Sequence, residues 1–185
     1  MRIGFQGDYL SNSEEASQKF AEKLNLTNVE FIPLISSQNV VTALLNNQID
    51  FGVMATKNIV AGEVVETKKA LTPEIELFDT LDLPIHHCLF KKSPKSSIKY
   101  IASHIQALHQ TRETRKQILK NVIEIECTDT ALAAKMLFNG EYPENYAVIC
   151  RENAGNFFNL TLVAKNIEDN PFNMTSFGLF KLKNS

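Results

Sequence analysis

Apolar positions in this chain fall in short extended runs that alternate with helically spaced ones, and that alternation predicts an α/β fold. Arg2 to Gln6 reads as a strand and runs into a polar turn, Gly7 to Ser13, with Ser13 as the expected N-cap of a helix. Glu14 and Glu15 follow in its first turn, where acidic groups suit the positive end of the helix dipole. Ala16, Phe20, Ala21 and Leu24 then recur at helical spacing. Val29 to Pro33 is a second strand. A helix opening at Ser37 or Gln38 carries Val40, Val41, Leu44 and Leu45 as its buried stripe, and Asp50 to Ala55 is a third strand. Glu63 to Ala70 reads as helical. The β-rich runs Ile75 to Leu81 and Ile85 to Lys91 flank Asp82-Leu83-Pro84, and they are expected to cross between lobes.

The pattern then repeats in kind. Tyr100 to Ala102 is a strand, Ser103 to Leu108 turns into a helix, and a polar helix spans about Glu113 to Lys120. Val122 to Cys127 is the next strand, followed by a helix from Ala131 to Leu137 capped by Thr128-Asp129-Thr130. Tyr146 to Cys150 and Leu160 to Ala164 are strands around a short helix near Glu152 to Phe157. In the closing stretch, Asn166 to Phe177, a strand leaves its sheet, Asp169, Asn170 and Pro171 make a turn, and a strand returns from Thr175 to about Leu182. The expected architecture is two-lobed α/β. One lobe comprises residues 1–78 with 168–185 and the other residues 79–167, with ligands in a cleft between them.

Composition narrows the partners. The 44% hydrophobic and 22% charged content is that of an ordinary globular chain, and its net charge of -2 is made of interspersed signs with no basic block. Nucleic acid and anionic membrane are therefore not expected as partners. No apolar run approaches the roughly 20 residues needed to span a bilayer. The chain opens directly into a strand pattern without a leader-like segment, so the cytoplasm is the expected compartment. Cys88, Cys127 and Cys150 lack metal-ligand or CxxC spacing and read as small core residues. His86 and His87 alternate faces, one buried and one in solvent, and no metal role is expected for them.

Loop residues at strand ends are where α/β folds place chemistry. Lys57 and Asn58 follow the third strand at its carboxyl end, although Lys57 also suits a solvated loop. The start of the first helix offers N–H groups to an anion, against which its acidic first turn counts. Thr175 presents a hydroxyl at the start of the last strand, where Thr is also simply a good β-former.

Several of these loops, in this order, resemble the catalytic domain of the prephenate dehydratase family. Gln6-Gly7 with Ser11 and Ser13-Glu14-Glu15-Ala16 is similar to that family's first glycine-rich loop and helix. Asp50-Phe51-Gly52-Val53 with Asn58 resembles its third-strand motif, which normally ends in Glu-Asn-Ser. Ser103-His104-Ile105-Gln106-Ala107-Leu108 is similar to its Ser-His-Pro-Gln-Ala-Leu. Thr130-Ala131 with Ala133-Ala134 resembles its Thr-Ala-x-Ala-Ala helix start. Asn166-Ile167-Glu168-Asp169 and Asn173-Met174-Thr175-Ser176-Phe177 resemble its closing segment, which normally contains Asn-x-Thr-Arg-Phe. The resemblance covers essentially the whole chain and implies a fold like a type II periplasmic binding protein.

It also implies a small dicarboxylate substrate, prephenate, which loses carbon dioxide and its ring hydroxyl to give phenylpyruvate. Hydroxide is a poor leaving group, so the site must donate a proton or strong hydrogen bond to it, a role the family resemblance assigns to Thr175. The same resemblance makes Ser11, Ser13, Lys57, Asn58, Ser103, His104, Gln106, Thr130, Ala131, Ser176 and Phe177 substrate-binding candidates. For His104, packing or capping of a helix start is the competing role. No metal or organic cofactor is implied, and a homodimer is an expectation drawn from relatives.

The departures are specific. The family Arg beside the Thr is Ser176 here, and the family Glu-Asn-Ser is Lys57-Asn58-Ile59. Lys57 is thus expected to supply the cation that Ser176 cannot. The phenylalanine-sensing ACT domain that usually follows is not expected, because the sequence stops at Ser185. Two other readings fit the same residues: a non-aromatising prephenate decarboxylase, or a non-catalytic module that binds small carboxylates.

Overall fold

The computed structural model describes residues 1–183 and divides the chain into two compact units. The first contains Met1–Ile85 and the chain from Met174 onward, and the second contains His86–Asn173. The divisions fall later than the expected ones after residues 78 and 167. The reason lies in β5 (Ile75–Pro84) and β11 (Met174–Leu182), which pair antiparallel from Met174↔Pro84 to Leu182↔Ile75. So long a shared ladder keeps both strands whole in one unit. Asn184 and Ser185, at the end of the expected first lobe, lie outside the described residues.

In the first unit, β1 (Arg2–Phe5), β2 (Glu30–Pro33) and β3 (Phe51–Asn58) are parallel neighbours, and the order across the sheet is β2-β1-β3-β11-β5. A short β4 (Gly62–Glu63) pairs with the end of β3. Helix α1 (Asn12–Lys23) covers one face. There Ala16 and Phe20 pack with Ile3, Phe5, Val53, Phe177 and Leu179. On the other face lies α2 (Ser37–Leu45), where Val40 and Leu44 meet Met54 and Phe180. Strand alternation sends successive residues of β3 and β11 to opposite faces, which is how one pair of strands feeds both cores.

Three local expectations change. Helix α1 is capped by Ser11 rather than Ser13: Ser11 Oγ accepts from Glu14 N at 3.3 Å, and the Glu14 carboxylate reaches back to Leu10 N. This is capping-box logic, and the sequence carried it as Ser-x-x-Glu. Asp82-Leu83-Pro84 does not interrupt the strand, because β5 is an edge strand on which Pro84 needs no outward donor. Lys57 and Asn58 lie inside β3 and not beyond it, because β11 extends the ladder to Thr175↔Asn58 across an irregularity near Thr56.

The second unit carries a sheet in the order β10-β6-β9-β7-β8. Here β7 (Tyr100–Ser103), β8 (Ile123–Glu126) and β9 (Tyr146–Cys150) are parallel, while β6 (Cys88–Lys91) and β10 (Thr161–Ala164) run antiparallel to their partners. Leu89, Ile101, Leu108, Ala147, Ile149 and Ile167 form its core. Helices α3 (Val65–Ala70) in the first unit and α4 (Ile105–Gln110), α5 (Arg112–Ile118), α6 (Thr130–Asn139) and α7 (Glu152–Phe157) in the second complete the chain. Asn166 and Ile167 are not strand: β10 ends at Ala164, Asn166 is left-handed (φ 51°), and Ile167 N donates to His87 O. Among the described residues, no helix is long and apolar enough to cross a membrane.

Candidate functional site

In the first unit, the carboxyl ends of β1 and β3 and the start of β11 share one edge of the sheet, because β11 runs opposite to its neighbour β3. Thr175 and Asn58 are cross-strand partners there, both nearly buried (8% and 7% exposed). Asn58 Nδ2 donates to Thr175 Oγ1 at 2.8 Å and to Met174 O at 3.1 Å, while Asn58 Oδ1 accepts from Val60 N and Ala61 N at 2.9 Å. One side chain thus ties the hydroxyl to the turn that leaves β3. Phe177 and Leu83 belong to the core beneath α1, and the two-residue alternation of β11 sets Thr175 on that same face. The buried N-cap Ser11 opens α1 on this side. Ser13 sits in the first turn, also buried, with its carbonyl accepting from Ser17 Oγ.

Lys57 and Ser176 occupy the other face. They are cross-strand partners of each other, Lys57 is opposite Glu63 of β4, and Ser176 Oγ donates to Asp82 Oδ1 at 2.5 Å. Lys57 thus stands directly across from Ser176, the position at which it was expected to replace the family cation, and both point away from Thr175 because neighbours in a strand point to opposite sides. Phe177 is likewise 2% exposed and packs in the α1 core, so its part is to seat the strand.

The remaining candidates are in the second unit. Ser103, fully buried at the end of β7, donates from Oγ to Ile149 O at 2.6 Å and so joins two strands. His104 caps α4, its Nδ1 accepting from Gln106 N at 3.3 Å, and Gln106 is exposed in the first turn. Thr130 opens α6, but the N–H groups at that helix start are already engaged: Asp129 Oδ1 accepts from Ala131 N at 2.8 Å and Leu132 N at 2.9 Å. An internal carboxylate thus caps the helix and occupies the N–H groups of Ala131, a substrate-binding candidate, and of Leu132.

Sequence reasoning missed the polar hub of this unit. Glu168 (8% exposed) accepts from His87 N at 2.9 Å and contacts His86 Nδ1 at 2.7 Å. Gln110 Oε1 lies 2.8 Å from His87 Nε2 and accepts from Asn173 Nδ2 at 3.0 Å. A carbonyl oxygen can only accept, so His87 carries its hydrogen on Nε2. Burial pulls His87 below the usual imidazole range, and the contacts with Gln110 and Glu168 oppose that only in part. Burial pushes the Asp169 carboxyl up, yet the N–H groups of Thr114 and Glu113 outweigh it and hold it below its usual range. The signal in the sequence was Glu168-Asp169 itself, adjacent acids in an otherwise uncharged closing segment.

These two α/β units define the class of the fold, one that the chain shares over its whole length with an ABC transporter periplasmic substrate-binding protein from Coxiella burnetii. That structure is 11% identical with a TM-score of 0.53, and 85% of it is covered. The family is narrower: the model described as Prephenate dehydratase matches residues 3–185, and the chain belongs to that family. Arogenate dehydratase/prephenate dehydratase 1, chloroplastic, from Arabidopsis thaliana is 28% identical over 180 residues, which cover 96% of this chain and 44% of that protein. A prephenate dehydratase structure from Arthrobacter aurescens, in complex with L-Phe, superposes with a TM-score of 0.88 at 23% identity, covering all of this chain and 61% of that one. The chain thus spans about half the length of the curated relatives it matches.

Proposed function

We propose that the chain converts prephenate to phenylpyruvate, with Thr175 assisting the departure of the ring hydroxyl. In this reaction the bond from the ring to its carboxylate breaks and releases carbon dioxide. The electron pair moves into the ring, which becomes aromatic as the carbon–oxygen bond breaks. The departing oxygen leaves as hydroxide and becomes water on gaining a proton. A threonine hydroxyl is too weak an acid to be chosen by pKa, so its contribution is a placed hydrogen bond to that oxygen as charge develops on it. The observation that carries this reading is the nearly buried Thr175 hydroxyl, held by Asn58 at the end of the sheet and within the segment that resembles the family's Asn-x-Thr-Arg-Phe motif. Ser176 in place of Arg does not remove that hydroxyl, and Ser176 faces the other side of the sheet. The free thiols of Cys88, Cys127 and Cys150 accord with the cytoplasm as its compartment.

Arogenate, which carries an ammonium where prephenate carries a keto group, is the second substrate to test, since relatives from Arabidopsis thaliana and Petunia hybrida are named for it. Purified protein is incubated with each compound at neutral pH, because prephenate aromatises on its own in acid, and products are identified by mass. Phenylpyruvate or phenylalanine is the expected product. Thr175→Ala should lower kcat about 100-fold or more, the usual scale for a positioned proton donor. A dihydro-hydroxyphenylpyruvate product would instead make the chain a decarboxylase. Ligand-induced stabilisation without turnover would make it a binding module.

A further inference from the structure

We propose that Asn58 is a positioning residue that fixes Thr175 as a hydrogen donor; the inference rests on the function proposed above. The orientation of the Asn58 amide is set by its surroundings. Its oxygen accepts from Val60 N and Ala61 N, both at 2.9 Å, so its nitrogen is the atom turned toward β11. That nitrogen can only donate, which makes Thr175 Oγ1 the acceptor of the 2.8 Å bond and reserves the hydroxyl's own hydrogen for another acceptor. A hydroxyl that accepts one hydrogen bond also becomes a stronger donor of the next, because the bonds in a chain polarise one another. Flipping the amide would set two N–H groups against Val60 N and Ala61 N and leave donors facing donors, so the turn itself locks the direction. Asn58 is in this way removed from the substrate-contact set and acts through Thr175. The turn it braces, with Gly62 in the left-handed region (φ 84°) where β4 begins, keeps the amide from rotating.

The test is Asn58→Asp, which keeps the shape and both acceptor bonds to the turn but reverses the bond to Thr175 and gives up the one to Met174 O. An ionised carboxylate at this position can only accept, so it draws the Thr175 hydrogen to itself. We expect kcat to fall about 100-fold at pH 8 with KM little changed, and to recover as pH falls and the carboxyl regains a proton it can donate. The non-enzymatic acid reaction is subtracted throughout. An unchanged kcat, or a loss equally deep at every pH, would overturn the proposal. If the unaltered protein turns over neither prephenate nor arogenate, the proposed function fails, and the hydrogen bond is read without turnover. In nitrogen-15 spectra the Asn58 side-chain amide hydrogen bonded to Thr175 should exchange slowly with solvent and lose that protection in Thr175→Val, while the one on Met174 O keeps it. Equal exchange in the two proteins would overturn it.

Discussion

His87 is a buried base in a place where water cannot help it ionise. Its folded pKa lies below the usual value of 6.5, with burial as the main cause. The sign follows from which state takes up the proton first. As pH falls through about 6.5 the unfolded chain protonates while the folded one does not, so stability declines until the folded pKa is reached. Glu168, which favours the His87 proton, and His86, which opposes it, modulate that loss without changing its direction. We expect the melting temperature to drop between about pH 7.5 and about pH 5.5, and to drop less in His87→Gln, whose amide can still donate to Gln110. An equal drop in both proteins would assign the loss to other groups. Single residues were also where the sequence was read least well. Thr175 and Asn58 stood out from their place in the chain, and the two are bonded to each other. That Lys57 and Ser176 share the face opposite Thr175 was not read from the sequence, although the information was present. Lys57-Asn58 and Thr175-Ser176 are each adjacent in a strand, and a period of two sends the members of each pair to opposite faces.

At the scale of elements, the parallel strands and their following helices were legible because each carries a strong period. Tyr146–Cys150 and Glu152–Phe157 match their expected bounds. Where β5 ends and where β3 ends were not legible, since both depend on partners in β11 that are remote in sequence. Remote packing also decides a prediction that local propensity gets backwards. Gly155 sits in α7, where replacing Gly by Ala in an exposed helix gains about 1 kcal/mol. A Cβ at this position would stand 2.3 to 2.5 Å from ring carbons of Phe90, a side chain with no exposed surface. Overpacking a rigid ring costs about 1–3 kcal/mol or more and outweighs the propensity gain. Gly155→Ala is therefore expected to lower the urea midpoint of unfolding, by a net loss of about 1–2 kcal/mol. A midpoint that rises would mean that Phe90 can move aside.

The whole molecule is discontinuous in one unit and continuous in the other, and this shapes how it holds together. The second unit is a single run, His86–Asn173, whereas the first is closed only when the last strand arrives. That strand, β11, lies between β3 and β5, so β5 has no place in the sheet until β11 has paired. Phe177, Leu179 and Phe180 arrive with it and complete the cores beneath α1 and α2. A chain ending at Asn173 would lack Thr175, would expose the facing edges of β3 and β5, and would leave both cores of the first unit open. Its loss should be far larger than any single truncation in those cores, each of which costs about 2–5 kcal/mol. The second unit keeps every strand of its own sheet in the same shortened chain. Hydrogen exchange on that chain should therefore show β7 and β9 still protected and β1 and β3 exchanging freely. Protection retained in β1 and β3 would mean that the parallel strands close a core without β11. The site would then be a late addition to a stable sheet, and not the product of the strand that completes it.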